Sequence, residues 1–115
     1  MKNIVRINKL VACILLALAF STTQIALAAD ANPSSTEIKI DNFTFAPQTV
    51  TVKVGTKITW TNSDDIPHTV VSNDSSFKSK TLDTDEKFSF TPTKPGTYSY
   101  FCSIHPKMTA TVVVR

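Results

Sequence analysis

Residues 96–114 read GTYSYFCSIHPKMTATVVV, and the phase of this stretch decides the fold. Tyr98, Tyr100 and Cys102 fall at every second position, so in a strand all three point to one face. The alternation breaks over Ser103–Met108, where a tight loop can run through Ile104 and Pro106, and β-branched alternation resumes from Thr109 to Val114. Working outward, the same period of two recurs in Glu37–Ile40, Thr49–Val54, Lys57–Trp60 and Glu86–Phe90. Between these runs lie turn signals: Val54-Gly55, Asn62-Ser63-Asp64-Asp65, Asn73-Asp74-Ser75-Ser76, Asp83-Thr84-Asp85 and Lys94-Pro95-Gly96. No 3.6-residue period longer than two turns runs beyond the N-terminal segment. The pattern predicts an all-β fold of about seven or eight short strands, an antiparallel sandwich or barrel. Tyr98, just after Pro95-Gly96, is a candidate for the hydroxyl-anchored tyrosine of a Greek-key corner.

The N-terminus has a different character. Lys2, Arg6 and Lys9 precede an apolar run from Leu10 to Phe20, and Ala26-Leu27-Ala28 offers a small-x-small cleavage site. That order describes a secretory signal peptide over 1–28, and the run is well short of the ~20 residues that span a bilayer. Cys13 lies inside the run with no apolar stretch upstream, so it reads as a signal residue rather than a lipidation site. Residues 29–35 read as a flexible leader and 36–115 as one small domain. The full chain has 12 Lys+Arg against 9 Asp+Glu. Three of the basic residues belong to the signal, so the mature chain is formally neutral and has no basic patch for nucleic acid. A periplasmic monomer without a membrane anchor is expected.

Cleavage leaves one cysteine, one methionine and two histidines. A lone cysteine in an oxidising compartment has no partner for an internal disulfide and is a candidate metal ligand. Three of the four residues, Cys102, His105 and Met108, stand at i, i+3 and i+6 where a strand ends; the fourth, His68, begins Thr69-Val70-Val71 after a loop. Thiolate and thioether are soft donors that suit copper(I), and imidazole suits either copper oxidation state; two histidines, a cysteine and a weak axial methionine form the donor set of a blue copper site. Pro67 and Pro106 restrict the backbone beside both histidines.

The chain resembles the cupredoxins, the small type 1 copper family that includes plastocyanin, pseudoazurin and amicyanin. The resemblance runs through Phe43-Thr44-Phe45-Ala46-Pro47, Val52-Lys53-Val54-Gly55, Thr59-Trp60-Thr61-Asn62, Pro67-His68-Thr69-Val70 and Gly96–Cys102. The short C-x-x-H-P-x-M loop is similar to that of amicyanin. The resemblance implies an all-β Greek-key sandwich of about eight strands, with one copper ion near one end held by His68, Cys102 and His105 in its plane and by Met108 on its axis. In one respect the chain departs from the family: Thr69 stands where many members have an asparagine that ties the two ligand loops together. Ser103 matches the usual small hydroxyl residue.

Four protein ligands leave no open position for a substrate, which speaks for electron transfer rather than catalysis. Cys102 is flanked by Phe101 and Ser103, so the histidine wiring of multicopper enzymes is absent. By resemblance, electrons pass through the outer edge of His105, rimmed by Ile66, Pro67, Ile104 and Pro106 with Lys107 nearby. The partners so implied are redox proteins, with an amine dehydrogenase as donor and a c-type cytochrome or oxidase as acceptor. A periplasmic copper-delivery protein, or an accessory cupredoxin domain without redox cycling, is the competing reading.

Overall fold

The computed structural model describes residues 34–115. The signal peptide read over 1–28, with Cys13, and residues 29–33 of the leader lie outside the described residues. Eight strands follow: β1 (Ser35–Asp41), β2 (Thr44–Ala46), β3 (Thr49–Val52), β4 (Lys57–Asn62), β5 (Val71–Ser72), β6 (Lys87–Phe90), β7 (Gly96–Phe101) and β8 (Thr109–Val114). Strand β1 begins at Ser35, one residue before the alternation that is read from Thr36. Among the described residues no helix is long and apolar enough to cross a membrane.

The strands form two four-stranded sheets, in the orders β2-β1-β4-β6 and β3-β8-β7-β5. Four pairings are antiparallel, as expected, but β1 runs parallel to β4 and β3 parallel to β8. Both parallel pairs follow from the chain changing sheets after β2. Strand β3 joins the opposite sheet beside β8, and the chain then returns through β4 to lie along β1.

Alternation places one face of each sheet inward. Ile38 and Ile40 of β1, Ile58 and Trp60 of β4, and Val112 and Val114 of β8 are all buried. Trp60 lies at the centre, its ring centroid 5.5 Å from those of both Phe77 and Tyr100. Burial of such large apolar and aromatic side chains is the main stabilising contribution in a domain of this size. Tyr98 makes the expected corner: its hydroxyl donates to the Lys94 carbonyl at 2.7 Å.

At the other end of β4, Asn62 points inward and is fully buried. Its amide nitrogen donates to the carbonyls of Ile66 and Leu82, both at 2.9 Å, and its carbonyl oxygen accepts Asp64 N–H at 2.9 Å. A buried amide is tolerated only when its polar atoms are satisfied, and here satisfying them shapes the loop that leads to His68.

Candidate metal centre

Strand β7 delivers Cys102 to the sandwich end in the phase of Tyr100, so the sulfur is fully buried. The loop that follows closes on itself through three backbone bonds. His105 N–H donates to the Cys102 carbonyl (3.2 Å), Met108 N–H to the His105 carbonyl (2.9 Å), and Cys102 N–H to the Met108 carbonyl (3.1 Å). Each of the three side chains thus sits on a residue whose backbone is fastened to the next, and the three-residue spacing in the sequence is the spacing of those turns. His68 comes from the other loop. Its backbone exchanges two hydrogen bonds with Leu82, at 3.1 and 2.8 Å.

These elements bring His68, Cys102 and His105 together, their ligand atoms all lying within 4.8 Å of one another. His68 Nδ1 is 3.8 Å and His105 Nδ1 3.7 Å from Cys102 Sγ. Metal bonds of about 2.0–2.1 Å to imidazole and about 2.3 Å to thiolate, at trigonal angles, would separate nitrogen from sulfur by about 3.8 Å. The observed spacings match that figure, so the three groups fit one metal ion. Met108 is buried beside them and, with His105, lines the same surface depression.

Hydrogen bonds fix the orientation of each donor. His68 Nε2 lies 2.9 Å from Asp64 Oδ2, a carboxylate partner that orients the ring with Nδ1 toward the sulfur. The bond from His68, with that from Phe43 N–H, holds the Asp64 carboxyl below its ordinary range. Burial alone pushes the Cys102 thiol up. Hydrogen bonds from Thr69 N–H, His68, the Thr69 hydroxyl and His105 outweigh it and hold the thiol down to about 6. A thiol so placed is largely ionised at neutral pH, and the thiolate is the form that binds metal.

Thr69 makes the link between the two ligand loops. Its N–H donates to Cys102 Sγ at 3.3 Å, and its hydroxyl oxygen accepts Ser103 N–H at 2.7 Å and lies 2.8 Å from Ser103 Oγ. One short side chain therefore spans the gap with a hydroxyl in place of an amide. Thr69→Val is expected to leave Ser103 N–H without its partner and to lower the stability of the metal-free protein by about 1–3 kcal/mol. Thr69→Ser should restore most of it, as read by urea unfolding.

Two residues of the site were not singled out by the sequence reading. Asp64 reads as a solvated turn carboxylate, yet its side chain is 11% exposed and bonded to His68. Phe43 reads only as part of a family segment, yet its ring stands edge-on to His68 and His105 at 5.7 and 5.0 Å. The one local signal is Asn42 between two alternating runs, which marks the turn that carries Phe43.

An eight-stranded sandwich that gathers a cysteine and two histidines at one end defines a small all-β protein with a candidate metal site. A family model described as a cupredoxin-like domain matches residues 10–114, and the chain belongs to that family. Amicyanin-alpha of Methylorubrum extorquens is 37% identical over 111 residues, covering 84% of this chain and 91% of that protein. Among solved structures, a novel purple cupredoxin from Nitrosopumilus maritimus superimposes with a TM-score of 0.67 at 32% identity, covering 70% of this chain and 99% of that one. The Cu(I) form of an amicyanin mutant gives a TM-score of 0.67 at 30% identity, covering 75% and 87%.

Proposed function

We propose that the chain is a periplasmic one-electron carrier in which His68, Cys102, His105 and Met108 would hold a single copper ion. The observation that carries this reading is the convergence of two imidazole Nδ1 atoms on one buried sulfur at 3.7 and 3.8 Å. Copper bound there would supply a Cu(II)/Cu(I) couple.

The residues of the chain do the rest. The closed turn over Cys102–Met108 and the Leu82 bridge to His68 keep the donors in place, so little rearrangement would accompany a change of oxidation state. Burial of Cys102, His68 and Met108 excludes water. His105 is half-buried, and Phe43, Ile104, Pro106 and Lys107 line the depression around it. That apolar rim suits brief contact with a redox partner, and amine dehydrogenase and c-type cytochrome remain the partner classes that the amicyanin resemblance favours. The fastened ligand loop favours electron shuttling over copper delivery, which needs ligands that let go.

Reconstitution with copper(II) tests the reading: an intense visible thiolate-to-copper absorption that bleaches and returns on reduction and reoxidation supports a carrier, whereas colourless, weakly held copper supports delivery. Met108→Leu is expected to keep much of the colour and to shift the reduction potential. An unchanged potential would remove Met108 from the proposed ligand set.

A further inference from the structure

Strands β1 and β2 are joined by two residues, Asn42 and Phe43, with Asp41 paired to Thr44 across the turn. Both turn residues have positive φ, 54° and 59°, the left-handed pair that a two-residue hairpin of this hand requires. Asparagine tolerates that region because its short polar side chain bonds locally, and glycine is the usual second residue. Phenylalanine there is an outlier, and such outliers persist where the surroundings hold them and a function uses them. Phe43 is also 50% exposed, so core burial does not account for it.

Its surroundings point one way. The ring lies nearly perpendicular to both imidazoles, at 89° to His68 and 87° to His105. Its backbone N–H donates to Asp64 Oδ2 at 3.1 Å, the same oxygen that lies 2.9 Å from His68 Nε2. One carboxylate oxygen therefore ties the turn to a candidate ligand.

We propose that Phe43 is a positioning residue: its ring, carried on a left-handed turn position that disfavours it, shields the outer edges of His68 and His105 from water, and Asp64 fastens this shield to His68. The inference rests on the copper reading above. It implies that the turn gives up stability in the metal-free protein to slow water and competing ligands at the metal.

Two variants separate the backbone from the ring. Phe43→Gly relaxes the turn and removes the shield. Phe43→Leu keeps the disfavoured backbone and much of the apolar cover. Metal-free Phe43→Gly is expected to melt at or above the temperature of the parent chain, while EDTA strips its copper(II) roughly 10-fold faster. Phe43→Leu should melt no higher than the parent and release copper at close to the parent rate. An unchanged extraction rate in Phe43→Gly overturns the shield, and a lower melting temperature in that variant overturns the stability trade. A parent chain that forms no thiolate–copper band overturns the copper reading itself, a result distinct from either.

Discussion

Cys102→Ser is expected to abolish the visible absorption of the copper-loaded protein and its reversible reduction, while leaving the fold in place. The sulfur is fully buried and lies within 3.8 Å of four polar atoms: Thr69 N, Thr69 Oγ1, His68 Nδ1 and His105 Nδ1. A serine hydroxyl is nearly isosteric and can accept the Thr69 N–H, so no buried donor is orphaned and the sandwich keeps its fold. What it cannot supply is a soft anionic donor. The hydroxyl stays protonated at neutral pH, and oxygen ligands do not suit copper(I). Two imidazoles and a thioether would remain, with no thiolate to give the colour. Loss of affinity should exceed the roughly 10–100-fold that follows removal of a group supporting a ligand. Far-ultraviolet circular dichroism and the melting temperature of the metal-free variant provide the control. Colour retained in a folded Cys102→Ser protein would mean that another donor set holds the metal.

Strand phase made most of this site legible in the sequence. Tyr98, Tyr100 and Cys102 share a face because side chains alternate, and burial of Tyr100 and Cys102 follows from that alone. The same rule locates six of the eight strands. It is blind to β2 and β5, which have three and two residues: a period of two needs about four residues to declare itself. The parallel pairings were hidden for a related reason, since register between strands far apart in sequence depends on where the chain changes sheets. Phe43 and Asp64 stand 21 residues apart, and nothing in either neighbourhood shows that they meet at His68. Thr69 is the intermediate case. Its position after His68 pointed to the loop link, but whether a hydroxyl could span the gap depended on the distance to Ser103, which only the packed loops define.

Metal-free, reduced protein is expected to become more stable as pH rises from about 5 to about 9, with most of the change between about 6 and about 8.5. In the folded chain, burial raises the Cys102 thiol but the bonds from Thr69, His68 and His105 prevail and hold it down to about 6. An unfolded cysteine titrates near 8.5. The folded value is the lower one, so the stabilisation is fully present above the unfolded value and is lost as pH falls through the folded one. Between the two, the unfolded chain carries the extra proton, and stability rises with pH. A separation of about 2.5 units corresponds to a gain on the order of 3 kcal/mol. Asp64 is also depressed by its bond to His68, but a carboxylate below its ordinary range gives up its contribution in more acidic solution, outside this window. Urea unfolding across the range, followed in parallel with the ultraviolet absorbance of the thiolate, separates the cysteine contribution from any other. Cys102→Ser should flatten the rise because serine has no proton to lose there. A parent chain whose stability stays flat while the thiolate forms near 6 would mean that the unfolded chain ionises equally early. A thiolate that forms only near 8.5 would mean that Thr69, His68 and His105 do not stabilise the anion, and that the site depends on the metal itself to remove the proton.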